Sequence, residues 1–293
     1  MNCVGWSIRP LCLFAYLAYH PNMQSDPLET QSHFRCRMKG ATRLMTQCRI
    51  SEIFYSVQGE GTLSGVPMAF VRFAFCPWRC RWCDSVYTWA QSAFELGGLP
   101  VTDSLKEEEA LSAANGVENL TIAEIVERIV QYPAHWVCIT GGEPLSQPTA
   151  FKELVYQLKE KSFALEVETS GLDPLPDDEL FNQVDSWVVD VKTPSSGMEK
   201  FLRLNDLNRL RKCDQVKFVV QTVEDLEFAA NIINKKVDNQ QGPQLLISPV
   251  GTTPFEDGGI GLGETAEFIK LNIPSSRLSV QIHKFIWGNR RGV

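Results

Sequence analysis

Cys76-Pro77-Trp78-Arg79-Cys80-Arg81-Trp82-Cys83 places three thiols at CxxxCxxC spacing within eight residues. A loop so spaced can curl until three thiolates each bind one iron of a [4Fe–4S] cluster. The usual all-protein cluster takes four cysteines, so three leave one iron open to a reactive ligand. A zinc knuckle would need a fourth Cys or His at liganding distance, and Cys48, Cys138 and His135 lie far along the chain. A dithiol redox reading of Cys80 and Cys83 leaves Cys76 without a part. Trp78 and Trp82 suit a shielded cluster, whose potential depends on burial; they equally suit plain core packing.

Around this loop the chain is regular from Ile50 onward. Short apolar runs alternate with amphipathic stretches, the signature of βα units on a parallel sheet. The pattern predicts strands over 68–74, 136–140, 163–168, 186–191, 215–220, 244–248 and 278–283. Thr121-Ile-Ala-Glu124 opens a helix with a capping box, and Ile122, Ile125, Val126, Ile129 and Val130 follow at helical spacing. Further helices are expected over 150–161, 199–211, 223–235 and 264–271. Six to seven mostly parallel strands fall short of a closed eight-stranded barrel, so the expected fold is α/β, an open partial (β/α) barrel. Residues 91–119, with Lys106-Glu-Glu-Glu109, read as an irregular insertion whose charges form a solvated helix face.

The 293 residues suffice for one sizeable α/β domain. Nine cysteines without a regular framework argue against a disulfide-stapled secreted chain. A cluster of this kind needs a reducing compartment, so a cytoplasmic location is expected. The net charge of −7, with no Lys/Arg block, disfavours nucleic acid and anionic membranes as partners. No uninterrupted apolar stretch reaches the length of a membrane span. Residues 1–45 are read as a non-core N-terminal extension, either disordered or the product of an upstream start codon, with Met45 or Met38 the true start. The apolar run from Leu11 to Tyr19 behind Arg9 resembles a short secretory signal, but export would carry the cluster into an oxidising compartment. On this reading Cys3, Cys12 and Cys36 carry no function, and residues 46–293 form the working domain.

In an open α/β sheet, reactive groups gather at the carboxyl ends of the strands. Four polar tips fall there: Gly141-Gly-Glu-Pro144 after Val137-Cys-Ile-Thr140, then Glu166-Val-Glu-Thr-Ser-Gly171, Asp190-Val-Lys-Thr-Pro194 and Leu246-Ile-Ser-Pro-Val250. Paired glycines let a ligand approach the backbone closely, and the hydroxyls after Glu168 suit a ribose. Each tip alone is an ordinary strand end. Four of them behind a three-cysteine loop make a site.

The cysteine loop followed by Gly-Gly-Glu-Pro resembles the radical SAM superfamily, in which S-adenosyl-L-methionine (SAM) chelates the open iron through its amino and carboxylate groups. A sharper resemblance covers Cys48 to the chain end. Ile53-Phe-Tyr-Ser-Val-Gln-Gly-Glu-Gly61, Phe70-Val-Arg-Phe73, Cys83-Asp-Ser-Val-Tyr-Thr-Trp89 and the tail from Gln281 to Val293 are similar to 7-carboxy-7-deazaguanine synthases. These enzymes convert 6-carboxy-5,6,7,8-tetrahydropterin to 7-carboxy-7-deazaguanine and ammonia, on the way to queuosine.

The resemblance implies that Cys76, Cys80 and Cys83 hold the cluster and that Trp82, Cys83, Asp84, Gly142, Asp190, Val191, Lys192, Ser248, Pro249, Val250 and Gly251 contact SAM. It implies a hydrogen taken from pterin C6, ring contraction and loss of ammonia, with SAM regenerated. Val57, Gln58, Gly59, Glu60, Arg72, Thr140, His283 and the terminal Val293 would meet the substrate. Arg72 could clamp its carboxylate bidentately, with His283 as a second donor. Ser85 would bind Mg²⁺, a hard cation that prefers oxygen ligands. Where related chains have Ser-Pro-Lys, this one has Asp190-Val-Lys192. A reductant such as flavodoxin or ferredoxin and a homodimer are also implied. Two other readings stay open: a glycyl-radical activating enzyme with a protein partner, and a metal-binding module without catalysis.

Overall fold

The computed structural model describes residues 45–89, 116–236, 242–250, 260–288 and 290–293. Residues 1–44 of the expected extension, 91–115 of the expected insertion, and Gly251 lie outside them. Strands β1 (Gln47–Val57) and β2 (Pro67–Phe73) form an antiparallel hairpin, and β3 (Glu118–Thr121) pairs antiparallel with β1. From β2 the sheet continues in parallel through β4 (Trp136–Gly141), β5 (Ala164–Thr169), β6 (Ser186–Lys192), β7 (Gln215–Val220), β8 (Gln244–Pro249) and β9 (Arg277–Leu278). The order β3-β1-β2-β4-β5-β6-β7-β8-β9 makes an open sheet of nine strands among the described residues.

The connecting helices are α1 (Ile122–Ile129), α2 (Pro148–Glu160), α3 (Asp178–Phe181), α4 (Val223–Lys236), α5 (Leu262–Asn272) and α6 (Ile282–Trp287). The capping box opens α1 as expected: Thr121 Oγ1 accepts from Glu124 N–H at 3.3 Å while Glu124 Oε2 accepts from Thr121 N–H at 2.7 Å. Ile122, Ile125, Val126 and Ile129 are buried, but Val130 is the C-cap and is exposed.

The sheet is open and mostly parallel, as expected, but longer than six or seven strands. β1, β3 and the two-residue β9 supply the difference, and β3 takes up Glu118 and Asn119 from the end of the expected insertion. Residues 278–283 do not form the predicted strand. Ile282 N–H donates to Gly59 O at 2.9 Å, which draws the chain off β8 and into α6. Residues 199–211 hold two short 3₁₀ turns, Glu199–Phe201 and Leu204–Arg209, in place of one helix. Leu204, Leu207 and Leu210 recur every third residue, which matches three residues per turn rather than 3.6.

Strand alternation gives the sheet two unlike faces. Val71, Ile139, Val167, Val189, Phe218 and Ile247 join the apolar core, where Trp187 stacks on Phe181 from α3 at 5.4 Å. The opposite face carries Arg72, Thr140, Glu166, Glu168, Asp190, Lys192, Gln215 and Lys217. The register sets Arg72 beside Thr140, and Asp190 beside Lys217. Gly141 locks the end of β4 to the exit of β2: its φ is +126°, and a Cβ there would overlap the backbone N and O of Phe73. Gly141→Ala is therefore expected to cost roughly 1–3 kcal/mol of stability, read as a lower midpoint in chemical denaturation.

Candidate active site

The polar face lines a cavity of ≈ 1010 Å³, together with the loop after β2 and residues near the C-terminus. Cys76, Cys80 and Cys83 all reach it. Burial pushes the Cys76 thiol up to about 12 and raises Cys80 and Cys83 as well, so metal binding here releases protons. Three cysteine sulfurs on one cavity wall are a soft donor set that suits iron–sulfur ligation. Trp78 Nε1 donates to Asp173 at 3.1 Å and Trp82 Nε1 to Ser195 Oγ at 3.2 Å, so both indoles beside the thiols are pinned.

The chain enters this loop through Phe75, whose φ of +78° is rare for a bulky residue. Its N–H donates to Thr88 O at 2.6 Å, and its carbonyl accepts from Glu143 N–H at 2.9 Å. Gly142 N–H donates to Phe73 O at 2.9 Å, and a Cβ on Gly142 would overlap Phe75 O. The paired glycines thus first admit the backbone of the cysteine loop, a reason for glycine that the sequence reading gave to a ligand. Glu143 is fully buried. It caps Leu145 N–H at 3.0 Å and accepts hydrogen bonds from Thr169 and Ser170, tying the turn after β4 to the end of β5.

Each residue of Gln58-Gly59-Glu60-Gly61 has a partner. Gln58 Nε2 donates to Glu166 and, at 3.1 Å, to Glu168. Gly59 leaves room for His283, since a Cβ there would fall inside the imidazole. Glu60 accepts from Lys217 Nζ at 3.0 Å and Gln281 Nε2 at 2.6 Å. Gly61, at φ +69°, abuts the Gln215 carboxamide. Burial works against ionisation of Glu60, yet Lys217, Gln281 and His283 together hold its carboxyl at about 2. Lys217 also faces Asp190 at 3.4 Å, and Asp190 holds Lys192 at 2.7 Å. Burial disfavours both ammonium groups, but these carboxylates keep them charged. Lys192 Nζ lies 5.3 Å from the Trp82 ring, so the charged row runs from the β1–β2 turn to the cysteine loop.

Arg72 faces the cavity in ion-pair contact with Glu52 at 3.0 Å. Glu52 also accepts from Tyr87 OH at 2.8 Å and lies 3.6 Å from Arg291. Thr140 Oγ1 donates to Glu168 Oε2 at 2.6 Å. Cys138, Glu166 and Glu168 bring three ligand atoms within 4.8 Å of one another, but the donating amide of Gln58 sits among them where a cation would have to be. Glu166 is buried, and burial with the neighbouring Glu168 raises its carboxyl to about 8.

Most residues predicted from the sequence meet in this cavity: Val57, Gln58, Gly59, Glu60, Arg72, Thr140, His283 and Val293, with Trp82, Asp84, Ser85, Gly142, Asp190, Lys192, Ser248, Pro249 and Val250. Val191 does not, because strand alternation turns its side chain into the apolar core. Gly251 lies outside the described residues. His283 sits on α6 rather than on a strand. Glu52, Tyr87, Glu168, Lys217 and Arg291 also line the cavity and were not singled out as site residues. The alternation of Glu166 and Glu168, and of Gln215 and Lys217, within otherwise apolar strands was the signal for the inner face.

Residues 57–206 match the family described as a 4Fe-4S single cluster domain. Over 239 residues the chain is 34% identical to the 7-carboxy-7-deazaguanine synthase of Methanospirillum hungatei, covering 81% of this chain and 85% of that one. The synthase of Clostridium acetobutylicum is 32% identical over 249 residues, 84% and 99% of the two chains. The chain belongs to the 7-carboxy-7-deazaguanine synthase family. Its members are radical SAM enzymes. The crystal structure of QueE from Escherichia coli shares the fold, with a TM-score of 0.57 at 24% identity over 80% of this chain and 94% of that one.

The raised carboxyl of Glu166 has a measurable consequence. Between the usual 4.5 and about 8 the folded chain holds a proton that the unfolded chain has lost, so this group lowers stability as pH rises through that window. The slope is at most about 1.4 kcal/mol per pH unit. Glu166→Gln is expected to flatten the fall of the unfolding midpoint between pH 5.5 and 7.5, whatever its absolute stability. An unchanged slope would place the proton elsewhere.

Proposed function

We propose that this chain converts 6-carboxy-5,6,7,8-tetrahydropterin to 7-carboxy-7-deazaguanine and ammonia, a step toward queuosine. One observation carries the reading: a single cavity joins three half-buried thiols to a cation suited to a carboxylate and to acidic acceptors suited to a guanidine-like edge. When bound, the cluster and SAM supply the radical chemistry that removes the substrate hydrogen. Cys76, Cys80 and Cys83 would hold the cluster. Trp82, Asp84, Gly142, the Asp190 and Lys192 pair and residues 248–250 frame SAM. Arg72 clamps the substrate carboxylate, and Glu52 keeps its guanidinium from swinging away. Thr140 fixes Glu168 so that the carboxylate accepts from the ring's N–H edge. His283, whose imidazole burial keeps toward the neutral form, contacts the substrate from the side of Gly59, and Val293 closes the same wall.

Ser85 would offer its hydroxyl to Mg²⁺, a hard cation that would supply Lewis-acid chemistry there. Ser binds through the same oxygen as Thr but rotates more freely, so a broad metal preference goes with it. Residues 46–293 form the catalytic domain, with 1–45 a non-core extension. A flavodoxin- or ferredoxin-class reductant, a homodimer and a cytoplasmic location complete the reading. None of the helices among the described residues is long and apolar enough to cross a membrane.

The test is anaerobic turnover of reconstituted protein with SAM, Mg²⁺, dithionite and 6-carboxytetrahydropterin, followed by mass spectrometry. Formation of 7-carboxy-7-deazaguanine, absent in Cys80→Ala, is expected. 5′-Deoxyadenosine without that product would keep the SAM chemistry and remove the substrate assignment. In the same assay Mg²⁺ and Mn²⁺ should each raise the wild-type rate above that without metal, and Ser85→Ala should lose that dependence. A wild-type rate indifferent to metal would overturn the role of Ser85.

A further inference from the structure

Trp89 lies just beyond the cysteine loop, 4% exposed. Its Nε1–H donates to Cys83 Sγ at 3.4 Å. Arg79, inside the loop, lies over the same indole with its guanidinium carbon 4.2 Å from the ring centroid. The Arg79 side chain is fixed by hydrogen bonds from Nη1 to Cys76 O at 2.6 Å and Trp78 O at 3.0 Å. A cation over an indole draws on its π density and so strengthens the N–H as a donor. The neighbouring indoles differ: Trp78 donates to Asp173 and Trp82 to Ser195. Among the described residues, Trp89 is the tryptophan whose N–H ends on a cysteine sulfur of the loop.

From this geometry we propose that Trp89, polarised by Arg79, is a positioning residue that sets the reduction potential of the cluster through Cys83. A hydrogen bond to a ligand sulfur withdraws charge from it and favours the reduced, more negative cluster. The bond thereby brings the cluster within reach of a physiological reductant. The proposal rests on the iron–sulfur reading of the loop and is independent of the substrate.

The experiment is a potentiometric titration of anaerobically reconstituted wild type, Trp89→Phe, Arg79→Gln and Trp78→Phe, without SAM or substrate. It is followed by electron paramagnetic resonance of the reduced cluster, with iron and sulfide counted in each sample. At the wild-type midpoint, Trp89→Phe is expected to show a reduced-to-oxidised ratio about three- to tenfold lower, tenfold being about 59 mV for one electron. Arg79→Gln should shift the same way by less, and Trp78→Phe should not shift. An unmoved midpoint in Trp89→Phe at full iron content overturns the proposal, as does an equal shift in Trp78→Phe. A wild type that takes up no cluster would instead remove the iron–sulfur reading itself.

Discussion

Lys217 sits between Glu60 and Asp190 on the inner face of the sheet, and the site depends on that arrangement. A buried ammonium with no partner would lose its proton or open the fold. Two carboxylates from different elements hold it charged, one from the β1–β2 turn and one from β6. Asp190 is shared with Lys192, so the strand end expected to frame SAM and the turn expected to hold the substrate belong to one charge network. Moving either side leaves a buried charge unpaired on the other. The network therefore fixes the distance between the two halves of the cavity as well as contributing to stability.

Gln58 makes the second tie. Its amide nitrogen reaches Glu166 and Glu168, two carboxylates on one face of β5 that would repel if both were ionised. The raised carboxyl of Glu166 resolves that conflict, leaving Glu168 to be oriented by Thr140. Glu166 Oε2 also accepts from Gln215 at 3.1 Å and Ser186 at 3.4 Å, groups set deeper in the sheet. One carboxyl is thus absorbed by the scaffold, and its neighbour two residues on is left at the cavity.

The cysteine loop, the parallel strands and most of the residues that meet in the cavity were legible because their signals are local: a spacing, an apolar run, a polar tip. What escaped the sequence is decided by distant partners. The helix at Ile282 replaces a strand because Gly59, more than two hundred residues earlier, takes its N–H. The 199–211 segment has enough leucines for a helix, but their spacing of three winds it more tightly. Gly141 and Gly142 are glycines because the backbone at Phe73 and Phe75 crosses them, which no pattern within Gly-Gly-Glu-Pro could disclose. Glu168 and Lys217 show their part only once the register aligns them with Thr140 and Asp190 on the inner face.

The same register explains why the departure at Asp190-Val-Lys192 is compatible with the site. Alternation sends Val191 into the core and both charged side chains into the cavity. Asp190 there is not a free carboxylate, because one oxygen faces Lys217 and the other Lys192. Both lysines compensate its charge, so it adds little repulsion to an anionic ligand in the cavity. Lys192 reaches past it toward Trp82, where a positive group over the indole holds the aromatic wall beside Cys83. A neutral residue at Asp190 would free Lys217 to pair with Glu60 alone and leave Lys192 without a counter-charge, so the acid at this position follows from the two lysines.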